Sequence, residues 1–381
     1  MNFLFRVFAI LLIGGVLISG WIKNPNSRVD LRICYDAALN LINNLPVYKI
    51  TDALEHTKSP LGTLLFVPLA QLPFRVVSLF WDFLNLFSVC GILWILVKKT
   101  NSQSKLNLAL GATLFCLNQL TVEFSVGQYN LIALFVILTL VNSPKILTSA
   151  GIVFVFLLKP TNIFFLPWLL VERFKKYPKA RVSKELAGLA AMGFGWLGFL
   201  SLVYFYLFGF HQFVTDFKEW FHFLPVSTAK HIQNPDNLGL PGLLAPYFPL
   251  MTNGILIILV GLIATTITSL KVTSTHLSLG LCSLIFLWIS PMTWPQNYCL
   301  LIPGFIWAFT ETTRKKPFYG ILVLSLSAYY TLTQVLNYTF LGEENFRTFR
   351  TFRPLFWASV LSSSLIAFYF LITRRTKLAK N

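Results

Sequence analysis

Residues 186–209 read LAGLAAMGFGWLGFLSLVYFYLFG, an apolar run without a single charged side chain. A helix needs about 20 mostly apolar residues to cross the ~30 Å hydrocarbon core of a bilayer. Comparable runs recur along the chain at 4–22, 74–97, 252–270, 318–336 and 355–373. The sequence therefore predicts several membrane-spanning helices.

The composition of the whole chain agrees with a membrane protein. Of its 381 residues, 55% are hydrophobic and only 12% are charged, whereas soluble domains carry about 25% charged residues. This excludes a disordered chain and an ordinary cytosolic enzyme. The net charge is +17, and the basic residues lie between the apolar runs. This pattern indicates orientation in a membrane rather than binding of nucleic acid.

Several shorter or interrupted segments complete the predicted bundle. Apolar runs that can cross if their flanks are buried lie at 106–119, 129–142, 277–290 and 298–310. Lys159-Pro160 breaks 148–172 into two short helices or a re-entrant hairpin, and the prolines of 60–72 predict a short interfacial helix. We expect an all-α polytopic bundle of about 10–12 membrane helices, with 1–381 as a single domain.

The basic loops predict the orientation. Most of the 31 Lys and Arg residues lie at the two termini or in short loops at 98–105, 143–148, 172–185, 271–276 and 311–317. Short basic loops face the cytoplasm, so both termini are expected there, and the long loops 23–59 and 211–251 face the other side. The densest basic loop, 172–185, is either a topology anchor or a patch for anionic lipids.

Candidate chemistry begins with Asp30, which follows the first apolar run and is expected near the outer headgroup layer. A carboxylate there can take a proton from a hydroxyl group. Asp36 lies about 600° further around a helix, so the two acids would not share a face. The alternative is that both are solvated loop acids.

Polar residues also mark the ends of two later apolar runs. Gln128 and Asn130 carry amides that either bind a sugar hydroxyl or cap a helix, and Glu123 near the membrane needs a partner or water. Lys159 either neutralises a phosphate or extends to the interface. Asp82, inside an apolar run, has a polar partner or a function.

Two outer loops supply further candidates. Residues 225–247 show no helical period and form a candidate substrate lid that contains His231 and Asn237. In the turn SPMTWPQNY at 290–298, Trp294 offers a face for stacking a sugar, with an interfacial anchor as the alternative. Its neighbours Gln296 and Asn297 offer hydrogen bonds.

Three arginines recur at every third residue of a predicted outer segment: Arg347, Arg350 and Arg353. Positive charge on that side indicates either a lipid-phosphate site or a headgroup anchor. The sequence contains no CxxC, HExxH or phosphate-binding lysine loop, and its GxGxxG at 193–198 lies inside an apolar run. We therefore expect no metal and no cofactor.

Several of these segments together resemble glycosyltransferase family 87 of the GT-C superfamily, whose enzymes use polyprenyl-phosphate sugars. The matching residues are Asp30-Leu31-Arg32-Ile33 with Tyr35, Ala37, Ala38, Pro46 and Tyr48, then Pro60 with Pro68-Leu69, Gly127-Gln128-Tyr129-Asn130, Lys159-Pro160, and Ser290-Pro291 with Trp294. The resemblance implies a GT-C-like membrane bundle that transfers a hexose, often mannose, from the lipid carrier to a glycolipid or glycan on the outer face.

The resemblance also implies roles for individual residues. Asp30 matches the aspartate of the family's first loop and is implied to be the general base of an inverting transfer. Substrate contacts are expected at Tyr35, Asp36, Gln128, Asn130, Lys159, His231, Asn237, Trp294, Gln296 and Asn297. Lys159, Arg347, Arg350 and Arg353 are the candidates for the lipid phosphate.

One feature departs from the family pattern. Members commonly carry histidine soon after the SPxxW element, whereas this chain has Pro295-Gln296-Asn297; His231 is a candidate substitute. We expect an integral protein of a bacterial plasma membrane. Two other functions remain open: a carrier or flippase of lipid-linked sugars, and an outer-face ligase of glycan chains.

Overall fold

The protein is helical throughout the part of the chain that the computed structural model describes. That part comprises residues 11, 14–15, 28–48, 56–100, 105–175, 177–234, 237–248, 251, 253–313, 319–335, 342 and 353–364. No strand occurs in these ranges. The predicted all-α class is therefore confirmed.

Seventeen α-helices follow one another in the described ranges. Two 3₁₀ segments, Pro160–Phe165 and Pro295–Leu301, lie between them, and a π-helical turn, Thr331–Val335, precedes the last of them. The helices are α1 (Val29–Ile42), α2 (Pro60–Leu64), α3 (Val67–Ala70), α4 (Phe74–Lys98), α5 (Lys105–Phe115), α6 (Leu117–Val126), α7 (Asn130–Leu140), α8 (Lys145–Leu158), α9 (Leu166–Phe174), α10 (Lys179–Phe208), α11 (Phe210–Gln233), α12 (Leu240–Leu244), α13 (Gly254–Lys271), α14 (Thr275–Ile289), α15 (Ile302–Thr313), α16 (Tyr319–Tyr330) and α17 (354–364).

Three described helices are long and apolar enough to cross a membrane: α4, α10 and α13. The bent pair α5 and α6, whose axes differ by 66°, adds a fourth span if it is counted as one. Shorter apolar helices of 10–17 residues are α7, α8 and α14. The chain is thus a polytopic integral membrane protein, while the expected span at 4–22 lies almost wholly outside the described residues.

The side chains of α10 show why this helix belongs in lipid. Among residues 181–208 only Glu185, Leu189 and Tyr204 are buried. Phe194 and Tyr206 are 73% and 90% exposed, and large apolar surfaces of this kind avoid water by facing the bilayer.

The two interrupted segments fold as short pieces. Residues 148–172 form α8, a 3₁₀ turn from Pro160 and α9, so the expectation of two short helices is confirmed. The interfacial segment 60–72 forms α2 and α3, each of which begins with a proline in its first turn.

The expectation of an irregular lid at 225–247 is wrong for its first part. Residues 225–233 continue α11, a helix of 24 residues that contains Pro225. Phe213, Phe217 and Trp220 lie on one side of this helix and pack against the apolar core around α1–α3. The segment is therefore an amphipathic helix that covers the α1 region.

The apolar interior consists of two cores that meet at the start of α7. Tyr129 and Ile132 belong to the core around α1–α3, whereas Leu131 and Leu134 belong to the larger core around α4–α9 and α14–α16. The residues just before α7 therefore lie at the junction of the cores. The polar candidates gather at this junction.

Candidate active site

The centre of the site is Gly127–Asn130, here called the GQYN segment. Gly127 ends α6 with φ +71°, a left-handed conformation that favours glycine. A Cβ at this position would lie 2.8 Å from Leu31 Cβ. Glycine therefore allows α1 to approach the segment closely enough for side-chain contact.

Asp30, in the first turn of α1, is partly buried and accepts a hydrogen bond from Gln128 Nε2. Gln128 is itself held by α4, since its carbonyl oxygen accepts from Trp81 Nε1 at 2.9 Å and from Asn85 Nδ2 at 3.0 Å. Burial raises the pKa of Asp30, and the Gln128 bond and the charges of Lys58 and Lys159 oppose that rise. The carboxyl group is thus a stronger proton acceptor than an exposed aspartate, with cations nearby that favour its ionised form.

Lys58 contacts the next residue of the GQYN segment. Its side chain is buried, and its Nζ lies 3.0 Å from Tyr129 OH and 2.9 Å from Cys34 Sγ. The sequence analysis missed this lysine, because a lysine beside a short apolar segment is typical of an interfacial anchor. The structure instead brings its ammonium group to the site of Asp30.

Lys159 contacts Asn130, the last residue of the GQYN segment. Its Nζ donates to Asn130 Oδ1 at 3.2 Å and to Asn297 Oδ1 at 3.4 Å. The lysine follows α8 in extended conformation, and Pro160 then starts the 3₁₀ turn. Asn130 Nδ2 also donates to Asn297 Oδ1 at 3.2 Å. Three predicted site residues from separate regions of the chain therefore meet.

Glu123 is fully buried and holds Asn130 in place through hydrogen bonds. Its Oε1 accepts from the backbone N–H of Asn130 at 2.7 Å and of Leu131 at 3.3 Å, and its Oε2 accepts from Asn130 Nδ2 at 2.8 Å. A carboxylate on the first N–H groups of α7 stabilises the start of that helix. Its role in the structure is to fix Asn130.

The turn before Asn297 is held by Asn237 of the preceding loop. Asn237 Nδ2 donates to the Pro291 carbonyl at 2.7 Å, and its Oδ1 accepts from the backbone N–H of Thr293 at 3.1 Å and of Gly239 at 3.0 Å. Asn237 is fully buried, and its amide positions the turn; a substrate contact of Asn237 stays a prediction.

His231 and Trp294 lie beside each other near this turn. Their rings meet edge to face with centroids 5.9 Å apart. Trp294 is partly exposed, which keeps part of its ring available for stacking, whereas Gln296 is buried. A substrate role for His231, Trp294 and Gln296 stays a prediction.

Two predicted substrate contacts on α1, Tyr35 and Asp36, bind other residues of the protein. Tyr35 OH donates to the Leu72 carbonyl at 2.8 Å, and its ring packs on Phe74. Asp36 forms an exposed ion pair with Arg32 at 2.9 Å. Tyr35 and Asp36 therefore each have a structural partner, and a substrate contact of either stays a prediction.

The arginine triplet is described at one position only. Arg353 Nη2 donates to the Gly242 carbonyl at 3.1 Å, so this guanidinium group ties the last described helix to α12. Arg347 and Arg350 lie outside the described residues.

Arg28 and Asp82 form a second charged contact beside the site. Arg28 Nη2 lies 2.8 Å from Asp82 Oδ2, and both side chains are buried. Arg28 Nη1 also donates to the Ser125 carbonyl at 3.3 Å. The acid inside α4 thus has a buried partner at the start of α1.

Comparison with known families decides the identity of the chain. A sequence model of glycosyltransferase family 87 matches residues 57–291, which is more than half of the chain. The chain belongs to glycosyltransferase family 87. The matched range of this family 87 protein includes Lys58, the GQYN segment and Lys159. No curated protein matches the chain.

The candidate site of this family 87 protein contains a carboxylate and two ammonium groups. Asp30, Lys58 and Lys159 each contact one residue of the GQYN segment. Among the described residues, no three His, Cys, Asp or Glu side chains are grouped so that they could hold a metal ion. The arrangement can accept a proton at Asp30 and bind an anion at the lysines.

A cavity lies in another part of the bundle. It measures about 860 Å³ and is lined by parts of α14, α15, α16 and α17, with Lys99 and Lys271 among its polar residues. Its lining includes no residue of the GQYN segment. We assign the candidate site to the surroundings of the GQYN segment, since the charged side chains converge there.

Proposed function

We propose that this membrane glycosyltransferase transfers a hexose, with mannose as the first expectation, from a polyprenyl-phosphate carrier to a hydroxyl group of a glycolipid or glycan. The observation that carries the proposal is the convergence of Asp30, Lys58 and Lys159 on three consecutive residues of the GQYN segment. A proton acceptor beside cations fits a reaction in which a hydroxyl group attacks and a phosphate leaves.

In the proposed reaction Asp30 takes the proton of the acceptor hydroxyl group. The acceptor oxygen forms a bond to the anomeric carbon of the sugar, from the face opposite the phosphate. The bond between that carbon and the phosphate oxygen breaks, and the phosphate keeps the electron pair, so the configuration inverts. Lys159 stabilises the negative charge that develops on the leaving phosphate.

An apolar groove near Lys159 supports a lipid-linked donor. The groove measures about 390 Å³ and lies between α8, α9 and α10, with Val153, Leu170 and Leu189 among its lining residues. Asn162 also lines the groove, and its backbone N–H donates to the Lys159 carbonyl at 2.9 Å. An apolar groove that begins three residues from Lys159 suits the hydrocarbon chain of such a donor.

The short basic loops support a location of the site on the outer face of a bacterial plasma membrane, with both termini in the cytoplasm. In the structure Lys159 lies at one end of the α8–α9 hairpin, and the basic residues around Arg173 follow its other end. Basic residues at one end of a hairpin favour the cytoplasm for that end.

Transfer assays on membranes test the proposal. Radiolabelled polyprenyl-phosphate mannose or glucose is added, and labelled glycolipid or glycan is measured. Asp30→Asn should lower the transfer rate by about 100-fold to 10,000-fold, the usual contribution of a general base. Asp36→Asn, on another side of the same helix, is the matched control and should retain transfer.

Two results would contradict the proposal. Labelled carrier that crosses the membrane without any labelled product would indicate a carrier or flippase, and transfer of whole glycan chains without use of the monosaccharide donor would indicate a ligase. Substantial transfer by well-folded Asp30→Asn would exclude Asp30 as the base.

A further inference from the structure

The environment of Lys58 is unusual for a buried cation. The side chain is only 4% exposed. Its Nζ contacts are a thiol, Cys34 Sγ at 2.9 Å, and a phenol, Tyr129 OH at 3.0 Å. Its Nζ also lies 4.3 Å from the centroid of the Tyr129 ring. These groups hold the ammonium in place, but they are neutral and form no ion pair with it.

The carboxylates of the junction are occupied elsewhere. Both oxygens of Glu123 accept hydrogen bonds from Asn130 or the start of α7, and Asp30 accepts from Gln128. No carboxylate of the described residues lies within ion-pair distance of Lys58. A buried charge without a direct ion-pair partner is costly, and such charges are typical of sites where a ligand supplies that partner.

The position of Lys58 indicates where that anion lies. Cys34 is one helical turn after Asp30 on α1, and its Sγ donates to the Asp30 carbonyl at 3.2 Å. Tyr129 and Asn130 are consecutive and contact Lys58 and Lys159, respectively. The two lysines therefore approach the site of Asp30 from two different segments of the chain.

We propose that Lys58 is a second phosphate-binding residue, which acts with Lys159 on the phosphate of the sugar carrier. The inference rests on the proposed function. A sugar carried on a polyprenyl phosphate is a phosphodiester, and the product after transfer is a monoester that carries more negative charge. A second lysine stabilises this additional charge as it develops. Lys58 should therefore matter more for the product polyprenyl phosphate than for the donor.

Binding measurements on the full-length protein in lipid nanodiscs test this inference. Lys58→Met should weaken the affinity for polyprenyl phosphate by more than fivefold, whereas Lys58→Arg keeps the charge and should stay within fivefold of wild type. Lys218→Met, an exposed lysine of α11, is the matched control. Affinity of Lys58→Met within fivefold of wild type overturns the inference.

A second variant keeps Lys58 and gives its ammonium group an ion-pair partner within the protein. Cys34→Asp places a carboxylate where Sγ now contacts Lys58 Nζ, so the lysine gains an internal counter-ion and remains buried. We expect the loss of polyprenyl-phosphate affinity to match that of Lys58→Met. This variant also answers the question if Lys58→Met does not fold, and unchanged affinity again overturns the inference.

The same experiments separate the inference from the proposed function. Wild-type protein that neither binds polyprenyl phosphate nor transfers sugar contradicts the proposed function. Wild-type protein that does both, with variants that bind polyprenyl phosphate as wild type does, contradicts the role of Lys58 alone. Inorganic phosphate as a competitor distinguishes a site for free phosphate from one that requires the lipid-linked form.

Discussion

Two sets of buried charges lie close to the GQYN segment and differ in the groups that they contact. Arg28 and Asp82 contact each other directly at 2.8 Å. Lys58 and Lys159 contact neutral groups, a thiol and a phenol in one case and two amides in the other. The first set is a closed ion pair, whereas the second keeps its charge available.

This difference indicates that the ion pair stabilises the fold, whereas the two lysines are available to bind a ligand. A closed pair fastens α1 to α4 and has no charge left for a ligand. Ammonium groups that are oriented by neutral side chains remain able to attract an anion, at the expense of stability. Substitutions at the two sets should therefore affect different properties.

The largest stability effect is expected for the closed pair. Arg28→Met leaves Asp82 buried without its partner, which destabilises a protein by about 3–5 kcal/mol. Thermal unfolding in detergent or nanodiscs measures the loss. The double variant Arg28→Met with Asp82→Leu removes both charges and should regain much of the stability. A double variant no more stable than the single one would show that the pair is not closed.

A smaller effect on stability, with a large effect on transfer, is expected for Gly127→Ala. The residue has φ +71°, and the new Cβ would meet Leu31 Cβ at 2.8 Å. The left-handed conformation alone costs about 1–2 kcal/mol for a residue with a side chain. Because α1 must shift, Asp30 should move from Gln128 and the transfer rate should fall.

The control for this variant is Gly195→Ala on α10, where nothing lies within 4 Å of an added Cβ. It should unfold at the same temperature as wild type or slightly above it, because alanine favours a helix more than glycine does, and it should transfer sugar at the same rate. Wild-type activity in Gly127→Ala would show that α1 tolerates a wider contact with the GQYN segment.

Much of the fold could be predicted because crossing a bilayer imposes a simple requirement. About 20 apolar residues in a row are needed, and the runs at 74–97, 186–209 and 252–270 became α4, α10 and α13. Helix α11 was missed, since its polar residues and Pro225 resemble a loop. Its aromatic side chains are explained only by the core that they cover.

The site was predictable as a set of candidates rather than as an arrangement. Asp30, Gln128 and Lys159 stand out as polar residues at the ends of apolar runs, but their contacts join residues far apart in the chain, such as Gln128 and Asp30. Lys58 and Arg28 were missed because neither belongs to a pattern. The role of each follows from its buried contacts, which only the three-dimensional structure shows.

A pH-dependent effect of intermediate size is expected at Gln128. Its hydrogen bond lowers the pKa of Asp30 against the rise caused by burial. A base must be deprotonated to act, so activity falls as the pH drops through that pKa. Gln128→Leu raises the pKa further, and the acidic limb of the pH–rate profile should move to higher pH.

Measurement of kcat/KM across the pH range checks this shift. The matched control is Gln212→Leu, which removes a similar amide-to-carboxylate bond, Gln212 Nε2 to Asp216 Oδ1 at 3.0 Å, from α11. The control should leave the acidic limb in place. A limb that stays unchanged in Gln128→Leu, with a uniformly lower rate, would assign Gln128 to positioning alone.

The smallest effect is expected where charges meet in solvent. Arg32 and Asp36 pair across one turn of α1 with both side chains about half exposed, and exposed pairs of this kind contribute about 0.3–0.5 kcal/mol. A double-mutant cycle with Arg32→Ala and Asp36→Ala should give a coupling energy in that range. The transfer rate should not change, because Asp36 is about half exposed and contacts Arg32. A loss of transfer in Asp36→Ala would instead place a substrate on the exposed side of α1, and the distinction between closed and available charges would then have to include this pair.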